Sequence, residues 1–222
     1  MLNIFFPKLC GACENELLAN EEVVCVKCRH NLSLARFHLI GSQSMKNKFY
    51  GRVPLENATA LLYFRKGSLT QKLIHQLKYR KNKEIGVFLG KWLGDELALT
   101  ESYKNIDAVI SVPLHKKKLR QRGFNQVEGF AKEIAQSLNA NYIDDVLQKI
   151  SPTKSQVFSE RITRLFSREE VFSVQNIEKI KGKHILLIDD ILTTGATLES
   201  CAHQLLQAEN IKLSFAVMAL TE

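Results

Sequence analysis

Long hydrophobic runs are missing from this chain of 222 residues. None approaches the roughly 20 apolar residues that cross a bilayer as a helix, so no transmembrane segment is expected. A secretion signal is missing too. The opening stretch MLNIFFPKLCGAC has no charged segment leading into an apolar run of signal length, so the chain is expected to be cytoplasmic. There is also too little length for two full domains; it suits one α/β domain with a substantial core and a small appendage. Acidic residues are scarcer than basic ones, 23 against 31, which gives a formal charge of +8 and a sequence pI of about 9.2. That balance favours anionic partners such as nucleotides, nucleic acid or pyrophosphate without choosing among them.

Residues His184 to Leu198, HILLIDDILTTGATL, are the most informative segment. The aliphatic run Ile185, Leu186, Leu187 and Ile188 suits a parallel strand covered on both faces. Asp189 and Asp190 follow, where strand ends in open α/β sheets meet ligands. Two adjacent carboxylates need a polar partner, and the vicinal hydroxyls of a ribose or a magnesium ion reached through water would supply it. Thr193, Thr194, Gly195, Ala196 and Thr197 come next, and Leu198, Cys201, Ala202, Leu205 and Leu206 recur at helical spacing, so the loop opens a helix. Amides at a helix start hold a phosphate, and Gly195 allows close approach of the main chain. The plainer alternative is a pair of ordinary loop acids followed by a threonine N-cap.

Four of the five cysteines form two C-x-x-C pairs, Cys10 with Cys13 and Cys25 with Cys28, separated by eleven residues. Tetrahedral zinc takes four such sulfurs, and a two-residue gap lets both sulfurs of a pair face one ion. Gly11 relieves crowding in the first turn. Disulfides, redox use and an iron–sulfur cluster are the alternatives, and His30 could replace a ligand. Four thiolates on a divalent ion leave the chain basic and leave the metal no open position, which makes the centre structural. It would stabilise a segment with too few large apolar side chains to fold unaided. Cys201, on the apolar stripe of the last helix, reads as an inert buried thiol.

The organisation expected is a zinc-binding knuckle of four cysteines at 1–39, a polar connection at 40–56 and a main domain at 57–222. Ala58 to Phe64, Ile106 to Val112 and Ile211 to Ala219 suit strands. Apolar stripes through Leu69 to Leu77, Ile85 to Leu97 and Phe124 to Leu138 suit helices. The alternation predicts an α/β fold with a doubly wound, mainly parallel sheet. Between the second strand and third helix, Lys116, Lys117, Lys118, Arg120 and Arg122 crowd one exposed connection. A solvated loop is one reading and contact with pyrophosphate or nucleic acid another, the latter favoured because the connection leaves the same sheet edge as the Asp189 to Thr197 loop.

That loop resembles the phosphoribosyl pyrophosphate loop of type I phosphoribosyltransferases, with four apolar residues, two acids and a Thr/Gly-rich turn. The resemblance implies that Asp189 and Asp190 contact the ribose hydroxyls and act in catalysis, and that Thr193, Thr194, Gly195, Ala196 and Thr197 bind the 5′-phosphate. A narrower resemblance adds the paired cysteines, LKY at Leu77 to Tyr79, VPL and RGFNQ within Val112 to Gln126, and SQ with a following arginine between Ser155 and Arg161. Together these are similar to the ComF competence family over almost the whole chain. One departure is Arg164, where that family often has asparagine. The resemblance implies a type I phosphoribosyltransferase fold, a structural Zn²⁺, Mg²⁺ with phosphoribosyl pyrophosphate, and a role in uptake of transforming DNA. The partners implied are single-stranded DNA and proteins of the uptake machinery.

The alternative is an active Mg²⁺-dependent phosphoribosyltransferase of nucleotide or nucleobase metabolism. Its acceptor is undetermined, since no aromatic or polar cluster marks a nucleobase pocket. Nitrogen transfer from glutamine does not fit, because there is no N-terminal catalytic cysteine. The segment 151–168 reads either as the mobile cover loop of such enzymes or as a surface linker.

Overall fold

The computed structural model describes residues 7–150 and 171–222. The Ser155 to Arg161 motif and the segment 151–168 lie outside those residues. In chain order, short helices α1 (Val26–His30), α2 (Phe37–Ile40) and α3 (Gln43–Asn47) precede β1 (Asn57–Phe64). Then α4 (Leu69–Tyr79) and α5 (Glu84–Ala98) lead to β2 (Ala108–Ser111). Next come α6 (Lys116–Arg122), α7 (Glu128–Ser137), β3 (Asn141–Ile143), β4 (Leu147–Ile150) and β5 (Val171–Val174). The described chain closes with β6 (His184–Leu192), α8 (Ala196–Leu205) and β7 (Lys212–Thr221).

Five strands form one sheet in the order β1-β7-β6-β2-β3, with every neighbouring pair parallel. Alternation along β6 shows why the aliphatic run is continuous. Leu186 and Ile188 enter the core beneath α4, α5 and α7, while Ile185 and Leu187 enter the core beneath α8. A strand buried on both faces has no position left for a polar side chain until it reaches the sheet edge. β4 and β5 make a separate antiparallel ribbon, which no periodic pattern announces.

The helices α5 and α7 pack unusually closely, and glycine is the reason. A Cβ on Gly90 would lie 2.6 Å from the Phe130 carbonyl oxygen, and one on Gly94 would lie 2.7 Å from Ser137 Oγ. This contact sets α7, and the chain entering it, against the turn between α4 and α5.

Two stretches differ from the reading of the sequence. The polar connection expected at 40–56 folds in part as α3 and the turn after it, with Met45 and Phe49 fully buried. The Phe49 ring meets Phe215 edge-on at 5.0 Å. Three apolar anchors, Met45, Phe49 and Val53, suffice to dock a segment that is otherwise polar. Residues 33–36 also pair antiparallel with the outer edge of β1, through Leu34 opposite Leu62 and the Ala35 amide donating to the Leu61 carbonyl at 2.9 Å. The N-terminal segment thereby blunts an edge that would otherwise present free backbone groups.

Candidate functional site

β6 continues through both acids to Leu192, rather than ending before them, and pairs with β7 as far as Leu192 opposite Leu220. Its other neighbour stops earlier, with Ser111 opposite Ile188. Asp189 and Asp190 therefore stand beyond the end of β2, at the C-terminal edge of the sheet. The two carboxylates occupy unequal settings. Asp189 is half-buried and its Oδ1 accepts from the Asp190 amide at 2.8 Å. Asp190 is only 8% exposed; its Oδ2 accepts from Gln126 Nε2 at 2.6 Å and pairs with the Lys78 ammonium at 2.9 Å.

Gly195 sits at φ +89 and precedes the first residue of α8. Two constraints require glycine there, because a Cβ would also lie 2.7 Å from Phe49 Cε1. The Ala196 amide approaches Thr194 Oγ1 at 3.4 Å, and the Glu199 amide closes the first helical turn on the Gly195 carbonyl at 2.9 Å. Arg52 pairs with Glu199 at 2.5 Å and lies over the Phe49 ring, tying α3 and its turn to this helix. A polar niche of about 30 Å³ is lined by Asp189, Thr193, Thr194, Gly195, Ala196 and Thr197 with their apolar neighbours. Of the residues predicted from the loop, Asp189 and Thr193 to Thr197 line this niche, at a helix start whose amides and dipole suit an anion, whereas Asp190 does not line it and is held instead by Lys78 and Gln126.

The basic connection is a helix rather than an open loop. α6 begins after His115, whose Nδ1 accepts from the Lys117 amide at 3.2 Å, and it ends at Gly123 with φ +80. Lys116, Lys117, Lys118 and Arg120 are exposed on it, and none of its residues is buried. The chain entering it leaves β2 beside the acids, since the Val112 amide donates to the Ile188 carbonyl at 2.8 Å. Arg122 turns inward and donates to Gln126 Oε1 at 2.7 Å. A relay therefore runs from Arg122 through Gln126 to Asp190, with Lys78 on the same carboxylate. Sequence reasoning assigned no role to Lys78 or Gln126. The available signal was their position, for each is a polar residue beside buried apolar neighbours in LKY and RGFNQ.

The four N-terminal cysteines meet a geometric test for a metal centre. Their Sγ atoms all lie within 4.8 Å of one another, and Cys13 and Cys25 sulfurs are 3.8 Å apart. Tetrahedral zinc with bonds of about 2.3 Å separates its sulfurs by about 3.8 Å. Amides of Cys25 and Ala12 point at Cys10 Sγ, at 3.3 and 3.5 Å, and the Cys28 amide points at Cys25 Sγ at 3.4 Å. Burial raises the Cys10 thiol, but hydrogen bonds from the Cys13, Cys25 and Ala12 amides outweigh it and bring it down to about 7. Burial, then proton sharing with Cys13 and Cys25, pushes Cys28 upward. A cation among the sulfurs would favour the thiolate form. His30 is exposed on α1, and four sulfurs already complete the set. Gly11 serves docking beyond its own turn: a Cβ there would lie 3.0 Å from Ile85 Cδ1, so the knuckle rests directly on α5. Cys201 is fully buried.

Residues 128–220 match the phosphoribosyl transferase domain. Together with the parallel five-stranded sheet and the loop at its C-terminal edge, this defines an α/β protein of type I phosphoribosyltransferase-like fold. The chain is 29% identical over 138 residues to the DNA utilization protein YhgH of Escherichia coli O157:H7, a match that spans 61% of this chain and 60% of that protein's length. It is 25% identical over 203 residues to the competence protein ComFC of Bacillus subtilis (strain 168), covering 86% of this chain and 81% of that one. The relatives that this chain resembles are thus named for competence and for DNA utilization. Among solved structures, adenine phosphoribosyltransferase from Leishmania tarentolae overlaps with a TM-score of 0.41 and 14% identity, over 64% of this chain and 73% of that one. No helix among the described residues is long and apolar enough to cross a membrane.

Proposed function

We propose that the protein takes part in DNA uptake as a ComF-like factor, binding phosphoribosyl pyrophosphate at the Asp189 to Thr197 edge and single-stranded DNA on α6. The observation that carries this reading is the convergence at one sheet edge of the acids, the Gly195 niche and the five cations of α6. Relatives named for competence and for DNA utilization support the biological setting. In this reading the niche amides hold the 5′-phosphate, Asp189 and Asp190 meet the ribose hydroxyls directly or through Mg²⁺, and the Cys10, Cys13, Cys25 and Cys28 centre holds a structural Zn²⁺.

Calorimetric titration of phosphoribosyl pyrophosphate with Mg²⁺ into the wild type and an Asp189→Asn, Asp190→Asn variant tests the first half. At least tenfold weaker binding by the variant is expected, and equal affinity overturns the site. Changing Lys116, Lys117 and Lys118 to Ala should weaken DNA binding and flatten its salt dependence by up to about 2 in log–log slope. An unchanged slope and affinity overturn the second half.

One feature favours a second reading, an active Mg²⁺-dependent phosphoribosyltransferase. The cations of α6 follow β2 at the sheet edge that carries the acids, and in this reading they would neutralise a departing pyrophosphate, fixed charge of that kind lowering the barrier to an oxocarbenium-like transition state. Release of pyrophosphate in the presence of candidate acceptors distinguishes the two.

A further inference from the structure

Two basic segments meet beside Asp190. One is the end of α4 and the turn after it, Lys78 to Lys83, reading KYRKNK, with Lys78, Arg80, Lys81 and Lys83 and no acid. The other is α6, reading KKKLRQR. They are joined by two cation–ring contacts: the Arg122 guanidinium lies 5.6 Å from the Tyr79 ring centre, and the Lys83 ammonium lies 5.0 Å from that of Phe124. The close packing of α5 on α7 holds these contacts in register. Tyr79, at the centre, is 63% exposed, and its ring is braced by a tilted contact with His75 at 4.9 Å.

Single exposed apolar residues are common and mean nothing alone. Tyr79 differs in its surroundings. A braced aromatic ring in contact with Arg122, where two segments meet that carry eight further cations besides the one that Lys78 gives to Asp190, combines a stacking platform with a phosphate track. A duplex keeps its base faces stacked and withholds them, whereas a single strand offers them. We infer that the surface formed by the α4–α5 turn and α6 is a single-stranded DNA track, with a base stacked on Tyr79 and phosphates held by Arg80, Lys81 and the cations of α6. The inference rests on the DNA-binding reading of α6 and adds Tyr79, Arg80 and Lys81 to it. Because Lys78 immediately precedes Tyr79 in the same helix and pairs with Asp190, the strand would pass the mouth of the acid site.

Fluorescence anisotropy of a labelled oligothymidylate with the full, metal-loaded chain tests it. Tyr79→Ala is expected to weaken binding about tenfold while leaving the salt slope intact, and Tyr79→Phe should bind as the wild type does. Arg80→Ala with Lys81→Ala should reduce the slope by about 1.4, at about 0.7 per phosphate contact. An oligonucleotide of abasic sites should bind the wild type more weakly than oligothymidylate, yet bind Tyr79→Ala equally to it. If Tyr79→Ala matches the wild type while the triple lysine variant of α6 loses affinity, the platform is overturned and the DNA reading stands. If the wild type does not bind the oligonucleotide, both fall.

Discussion

Lys78 and Asp190 form an ion pair of 2.9 Å between the last turn of α4 and the C-terminal end of β6, with only 17% and 11% of the two side chains open to solvent. The pair joins the first half of the domain to the strand that carries the candidate site. Gln126 completes it from the turn between α6 and α7, so Asp190 is fixed by residues drawn from two other, separated motifs.

Removing one member of so enclosed a pair strands the other charge. Lys78→Ala should lower stability by about 2 kcal/mol at neutral pH. The double variant Lys78→Ala, Asp190→Asn should lose less than the sum of the single losses, because the second change removes the stranded carboxylate. Urea unfolding of the four proteins checks this; strict additivity would show that the pair contributes no coupling.

Gly195→Ala faces both a positive φ and the Phe49 ring. It should cost about 1–3 kcal/mol and weaken binding of phosphoribosyl pyrophosphate by shifting the niche. Gly182→Ala is the control, since φ there is +70 but a Cβ would meet nothing within 4 Å. Its cost should stay near 1 kcal/mol with ligand affinity unchanged. Thermal melts and calorimetry on both variants separate backbone strain from damage to the site.

The cysteine centre should hold about one zinc per chain, measured by elemental mass spectrometry. Chelation, or Cys13→Ser, should lower the melting temperature of the whole protein, because Gly11 and Cys10 pack into the same core as Ile85 and Leu73. Metal-free protein that melts at the same temperature would show that the knuckle does not depend on an ion.

His38 gives stability a pH dependence. Its ring is enclosed between Thr59 Oγ1 at 2.9 Å and Glu96 Oε2 at 3.0 Å. Burial lowers its pKa below the ordinary 6.5, Glu96 partly restores it, and Arg36 lowers it again. The unfolded chain therefore takes up a proton first as pH falls. Stability is full above about 6.5 and is lost as pH drops through the folded value. His184, also lowered mainly by burial, acts with the same sign. Unfolding free energies measured from pH 7 to 5 should fall, and His38→Gln should show a flatter profile with a remnant from His184. A variant as steep as the wild type would remove His38 from the account.

Much of this molecule was legible in local pattern. The run Ile185 to Ile188 announced a central strand because each of its residues is buried on one face or the other. The glycine and threonines after the acids announced a helix start, and the paired cysteines announced their own cluster. Each of these signals lies within a few residues, where spacing alone constrains geometry. Less local features left weaker traces. The cations at 116–122 looked like an open connection because no apolar stripe marks α6, which is capped by His115 and Gly123 and buries nothing. The segment 40–56 looked like a plain connection because three apolar anchors do not make a period.

The residues alone determined the parallel α/β class, the acid pair with its glycine turn and the four sulfurs, since these depend on backbone propensity and on neighbours in the chain. Tertiary structure decided which side chains reach Asp190, and that Tyr79 stands between two basic segments. Those relationships follow from sheet order and from how closely α5 and α7 approach over Gly90, and no spacing along the chain encodes the distance between elements that only packing brings together.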